Sequence, residues 1–264
     1  MDIDFNQTTN KKYNLGIVLS GGGARGFAHI GVLKALNENG IYPDVISAVS
    51  AGSIVGSLYA DGYAPDEIFN LFIKLDIFKL VKFQKPWFGL LRASGLQKTL
   101  QNELKATCFE ELKIPMYVAA TNFTKAKIDY FDAGPIIPAI LASSAIPLIL
   151  KPVLLNGDYY VDGGLMNNLP VEPICNNCTH IIGVNVNPVT VANKIQSLRN
   201  YADRVMHLGV RANIQNNIDK CTYFIEPPGL MEYNLFKVSA AEKIFEMGYN
   251  HTLSKLNDIK LALQ

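Results

Sequence analysis

No stretch of this sequence approaches the ~20 apolar residues needed to cross a bilayer. Its first 14 residues are polar and lack the apolar centre of a secretory signal. Neither a membrane span nor a secretory signal peptide is expected; the sequence reads as soluble and cytoplasmic, with room for peripheral contact with membranes. Charge of one sign is equally short. There are 24 Lys and Arg against 23 Asp and Glu, a net +1, so no overall field favours nucleic acid and a charged partner must be met by a local patch. Cysteine is confined to Cys108, Cys175, Cys178 and Cys221. Cys175-x-x-Cys178 followed by His180 has the spacing of half a zinc site, yet no second pair with ligand spacing exists, so inert thiols are expected rather than a metal. Histidine is scarce too, with only His29, His180, His207 and His251, and none stands at a recognisable catalytic turn.

What is present is apolar bulk. Of the 264 residues 49% are hydrophobic and 18% charged, enough for one sizeable core in a single domain covering residues 1–264, with 1–14 as a polar extension. Short apolar strands are expected at 15–19, 45–49, 115–121, 180–186 and 222–225, with a more polar one at 127–132. Helices are expected at 28–36 (stopping at Gly40), 54–60, 65–75, 136–145, 195–219 and 238–261. Asn156-Gly157, between arms 152–155 and 159–161, is a strong hairpin signal. Strands alternating with helices imply an α/β fold, a mainly parallel central sheet with helices on both faces.

Ser50 sits where the strand 45–49 gives way to a close-packed helix, with Ala48 two residues before and Gly52 two after. A serine on such a tight turn has the form of a nucleophile elbow, and the helix N-terminus beside it favours negative charge. The first strand likewise runs into Ser20-Gly21-Gly22-Gly23-Ala24-Arg25-Gly26. Its glycines also match the dinucleotide fingerprint, but that reading needs an acidic residue at the end of the next strand, and Asp44 precedes it. A phosphate P-loop fails for want of Gly-Lys-Ser/Thr. Exposed backbone N–H groups beside a helix start instead suit an oxyanion hole, against the plainer alternative of a tight turn. A nucleophilic serine needs a base. Asp162 ends a strand after the hairpin and is followed by Gly163-Gly164; burial against apolar walls can raise a carboxylate towards a useful pKa.

Four ordered blocks together resemble the bacterial patatin-like phospholipases: the glycine loop 20–26, the Ser50 turn, Ala142-Ser143-Ser144-Ala145-Ile146-Pro147, and Asp162-Gly163-Gly164-Leu165-Met166-Asn167-Asn168-Leu169-Pro170. The resemblance implies a three-layer patatin-like fold and a lipid acyl hydrolase. It implies Ser50 as nucleophile, Asp162 as base and Gly21, Gly22, Gly23 and Arg25 as the oxyanion loop, with neither metal nor nucleotide cofactor. One departure is visible, because the family has Gly-x-Ser-x-Gly and this chain has Ala48; the extra methyl is expected to be absorbed. A thioesterase or acyltransferase could use the same parts, and a lipid-binding regulatory protein could keep the fold without turnover. Finally, 77–91 interleaves aromatic residues, among them Phe83, Trp87 and Phe88, with lysines. That mixture suits a lipid interface, and equally a buried helix and loop with lysines reaching outward.

Overall fold

The computed structural model describes residues 11–75, 82–87, 90–188, 198–233 and 238–264. Ten strands and eight α-helices lie among them: β1 Tyr13–Leu19, α1 Phe27–Glu38, β2 Val45–Val49, α2 Ala51–Ala60, α3 Pro65–Leu75, β3 Lys82–Trp87, β4 Leu90–Arg92, α4 Ser94–Glu103, β5 Met116–Asn122, β6 Lys127–Phe131, α5 Ile136–Ser143, β7 Val153–Leu155, β8 Asp158–Asp162, β9 Cys178–Val184, α6 Leu198–Ile218, β10 Tyr223–Ile225, α7 Ala241–Ser254 and α8 Leu256–Ala262. The central sheet has the order β10-β9-β1-β2-β5-β8-β7, with β6 also paired to β5. From β10 to β5 every pairing is parallel, while β6, β7 and β8 are antiparallel additions.

The central strands are apolar along their whole length because both sheet faces are covered. Ile17, Leu19, Ile46, Ala48, Met116, Val118, Ile182 and Val184 join the larger core cluster with residues of α1 to α5, α7 and α8. Their neighbours Val18, Val45 and Ile181 point the other way, onto Leu169, Val171, Ile174 and Ile214 of α6. Phe27 of α1, fully buried, meets Phe69 and Phe72 of α3 edge-on, contacts that add about 0.5–1.5 kcal/mol each to simple burial.

Three expectations change, and one helix lies where none was expected. Tyr13 and Asn14, assigned to the polar extension, already belong to β1, because Tyr13 pairs with Cys178 at the start of β9; residues 1–10 lie outside the described residues. The helix expected over 238–261 is two helices broken at Lys255. Helix α4 answers to no apolar periodicity strong enough to announce it, since only Leu96, Thr99 and Leu100 of its ten residues are buried. The segment 77–91 holds no helix among its described residues; β3 and β4 form a separate two-stranded antiparallel sheet. Phe88 and the side chains of Phe83 and Trp87, the residues of the expected lipid interface, lie outside the described residues. No described helix is long and apolar enough to cross a membrane.

Candidate active site

Strand β5 is the ruler that assembles the site. β6 occupies one of its edges along Val118 to Asn122. On the opposite edge β2 runs parallel as far as Val49, opposite Ala119, and β8 arrives antiparallel with Asp162 opposite Ala120. The two strands therefore meet end to end in one row. Ser50 is the first residue beyond β2 and Asp162 the last of β8, and the Ser50 hydroxyl donates to Asp162 Oδ2 at 2.6 Å.

Ser50 adopts φ 52° and ψ −124°, a conformation that costs a non-glycine residue about 1–3 kcal/mol and has to be imposed by its surroundings. Those surroundings are specific. The Ser50 N–H donates to Ser143 Oγ at 2.8 Å, and the Ser143 hydroxyl donates on to Ala119 O at 2.6 Å. The Ser50 carbonyl accepts from the Ser53 hydroxyl and N–H. A side chain at Gly52 would strike the backbone carbonyls of Leu19 and Ser20, the latter at 2.6 Å, so α2 packs against the end of β1 only because position 52 has none. The Ala48 methyl is fully buried in the core cluster, and the turn beyond it keeps its strained geometry.

Asp162 is 8% exposed. Its Oδ1 accepts the Gly164 N–H at 2.8 Å. Burial pushes its pKa up to about 6, against the opposing pull of the Ser50 and Gly164 donors. No imidazole among the described residues bonds to either partner. His29 is buried and lies behind the glycine loop, its Nε2 against Ser20 O at 2.8 Å. Burial lowers its pKa to about 4, so the ring is neutral and donates to that carbonyl. His180 is on β9, His251 on α7 and His207 on α6; the side chain of His207 lies outside the described residues.

The glycine loop follows β1, whose neighbour is β2, and so emerges beside Ser50. A Cβ on Gly21 would lie 3.0 Å from that of Ser50. Ser20 fastens the loop to the end of β9, its N–H donating to Val184 O and its Oγ accepting the Val186 N–H. The Gly21 N–H is committed to Asn168 Oδ1 at 3.2 Å and its carbonyl accepts from Asn187 Nδ2. Gly23 has φ 55°. Among the described residues the N–H groups of Gly22 and Gly23 have no acceptor, so these two, rather than Gly21, are open to an incoming anion. Arg25 directs its guanidinium away into structure: it donates to Asn187 Oδ1 at 2.9 Å and to Tyr233 O at 3.1 Å. Burial lowers its pKa to about 10, which leaves it cationic at neutral pH, a buried positive charge stiffening the loop.

Sequence reasoning assigned no role to Ser143, Asn168, Asn187 or the α6 asparagines. Asn213 and Asn217, one turn apart, hold the chain after Asp162: Asn213 Nδ2 donates to Gly164 O and its Oδ1 accepts the Asn168 N–H, while Asn217 Nδ2 donates to Asn167 Oδ1 and Leu169 O. Ser143 and Asn168 fall inside the quoted blocks, so their positions were visible although their partners were not. Among the described residues no group of three or more His, Cys, Asp or Glu could hold a metal.

A serine bonded to a buried carboxylate at a strained turn, beside glycine N–H groups that have no acceptor among the described residues, is the arrangement for forming and stabilising a tetrahedral oxyanion. A family model of patatin-like phospholipases matches residues 17–174, a span that includes the loop, Ser50 and Asp162. The chain belongs to the patatin-like phospholipase family. An uncharacterized NTE family protein of Mycobacterium tuberculosis is 34% identical over 175 residues, covering 65% of this chain and 48% of that protein. Lysophospholipase NTE1 of Saccharomyces cerevisiae is 28% identical over 271 residues, covering 90% of this chain and 16% of that protein. The chain thus spans about half the length, or less, of these two relatives. In fold it is similar to VipD from Legionella pneumophila, with TM-score 0.55 at 15% identity, covering 94% of this chain and 67% of that one.

Proposed function

We propose that this patatin-like chain is a lipid acyl hydrolase working through Ser50 and Asp162 on phospholipids or lysophospholipids. The observation that carries the reading is the 2.6 Å hydrogen bond from the Ser50 hydroxyl to Asp162 Oδ2, made at a turn whose strain faces Ser50 towards the glycine loop. As Ser50 Oγ attacks the ester carbonyl carbon, Asp162 takes the hydroxyl proton and the carbonyl oxygen acquires the charge. The N–H groups of Gly22 and Gly23 stabilise that oxyanion. Collapse expels the alcohol, protonated by Asp162, and leaves an acyl group on Ser50. Water then attacks the acyl carbonyl, giving its proton to Asp162; as the intermediate collapses the bond to Ser50 Oγ breaks, Asp162 returns the proton to that oxygen, and the fatty acid departs. The phospholipid class is supported by the family and by the name of the yeast relative.

The test is a panel of phospholipids, lysophospholipids and acyl thioesters, with fatty acid release measured against Ser50→Ala as blank. Ser50-dependent release from the glycerolipids is expected. Release from thioesters alone, or acyl transfer to an added alcohol in place of hydrolysis, would replace the hydrolase reading. A folded protein that binds lipid yet neither turns it over nor reacts with a fluorophosphonate at Ser50 would make it a lipid-binding protein.

A further inference from the structure

Three buried polar atoms have no hydrogen-bond partner among the described residues: His29 Nδ1, Ser144 Oγ and Asn168 Nδ2. The first is a single lone pair on a neutral ring and the second a hydroxyl free to rotate. The third is an amide with two N–H donors on a residue 3% exposed, and an unpaired buried donor of this kind costs about 1–3 kcal/mol. Native structures seldom retain one without a use.

The Asn168 amide cannot relieve itself by turning over. Its Oδ1 accepts the Gly21 N–H at 3.2 Å, and a flip would set donor against donor. Its backbone is clamped as well, the N–H by Asn213 Oδ1 at 3.1 Å and the flanking residues by Asn217. The amide oxygen lies between the two halves of the site. Asn168 Oδ1 is 2.6 Å from where a Cβ on Gly21 would sit and 2.6 Å from the corresponding point on Gly164. The Gly21 position is in turn 3.0 Å from Ser50 Cβ, and the Gly164 position 3.1 Å from Asp162 Oδ1.

We infer that Asn168 is a further catalytic residue: Oδ1 holds Gly21 and so fixes the loop, while Nδ2 donates to an oxygen of the acyl ester as it becomes tetrahedral on Ser50. The inference rests on Ser50 being the nucleophile. In the resting protein the donor has no partner among the described residues, and the hydrogen bond forms only with substrate in place, so its benefit falls on the reaction rather than on the fold.

A fluorophosphonate adduct on Ser50 mimics the tetrahedral state, and its structure should place Asn168 Nδ2 within about 3.2 Å of an adduct oxygen. An adduct in which Nδ2 reaches no oxygen of the inhibitor overturns the inference. In kinetics, Asn168→Asp keeps the acceptor for Gly21 at nearly the same volume but, once ionised, has no donor. On a soluble short-chain ester, well above the Asp162 titration, kcat should fall about 100-fold with KM changed by less than about threefold. Wild-type kcat in that variant would leave Asn168 as a structural anchor only. Asn168→Ala should be as slow and less stable, having lost both functions; should it fail to fold, the adduct and Asn168→Asp still decide. Failure of the underlying reading looks different, since wild-type protein would then not be labelled at Ser50 at all, and both proposals would fall together.

Discussion

Asp162→Asn should make the protein more stable while removing its activity, and the size of the gain follows from the site. The carboxyl is buried, and its pKa rises from 3.8 to about 6. A rise of that size corresponds to about 3 kcal/mol by which the folded state disfavours the carboxylate. The sign is that of a raised acid. Below the unfolded-state value near 4 the group is protonated in both states and costs nothing. Between there and about 6 the unfolded chain loses the proton while the native chain keeps it, and stability falls as pH rises. Above about 6 the loss is complete and constant. Asparagine has nearly the same shape, can still accept the Gly164 N–H, and can donate its amide to Ser50 Oγ, so the neutral variant escapes the loss.

Wild-type pH dependence alone would mislead, because His29 acts in the opposite direction. Its pKa is lowered from 6.5 to about 4, so stability is lost as pH falls below about 6.5 and the unfolded chain takes up a proton first. The difference between Asp162→Asn and wild type cancels His29 and isolates Asp162. Urea unfolding of both proteins at intervals from pH 4 to 8 should show a gap that opens between about pH 4 and 6 and reaches up to about 3 kcal/mol in favour of the variant, or about 5–10 °C in Tm for a chain of this length. A gap that is flat across the range, or a variant less stable at pH 8, would refute the reasoning. Ester hydrolysis by the wild type should climb with pH through about 6 as the base ionises.

Gly22→Val places a side chain against Val186 and the Asn187 amide, displacing the loop; the acylation rate with a fluorophosphonate should drop by about two to three powers of ten, the size of losing an oxyanion donor. Ser143→Ala strips the hydrogen bonds to the Ser50 N–H and Ala119 O, which should cost about 2–4 kcal/mol in urea unfolding and lower kcat more than KM as the elbow relaxes. Replacing Trp87 and Phe88 with Ser should weaken binding to anionic vesicles and hydrolysis of aggregated lipid while sparing a soluble ester, because the 77–91 segment carries interfacial residue types and no catalytic group; equal losses on both substrates would assign it to the core.

The strands that build the site were legible because burial on both faces turns each into a short run of apolar residues, as in 45–49 and 115–121. Punctuation was legible too. Pro65 opens α3, and Asn156 and Gly157 take φ of 50° and 88° as a two-residue hairpin turn requires. Helix α4 was missed because most of its surface is solvated, leaving little apolar periodicity. The break at Lys255 carries neither Gly nor Pro to mark it. At the site, Ser50 and Asp162 announce themselves through the small residues that crowding demands beside them. Ser143 and Asn168 do not, since their work lies in hydrogen bonds to Ser50 and Gly21 across 93 and 147 residues of chain, and nothing local encodes a partner that distant.

The change of strand direction along β5 also explains how a carboxylate can stand where histidine usually does. Because β2 and β8 run into each other in one row, backbone pairing ends at Val49 and at Asp162, and the two side chains face each other across the gap. Their oxygens are 2.6 Å apart, which leaves no room for an imidazole between them. A direct contact at that distance needs an acceptor whose pKa has been lifted, because a solvated carboxylate near 3.9 is too weak a base at neutral pH. Burial at the end of β8 supplies the lift, bringing Asp162 to about 6, close to the ordinary range of histidine. Desolvation thus does for the proposed base what choice of residue does in a histidine-containing triad. The same desolvation is what the fold gives up in stability, so any change that admits water to Asp162 should lower its pKa and slow proton transfer even while the hydrogen bond to Ser50 survives.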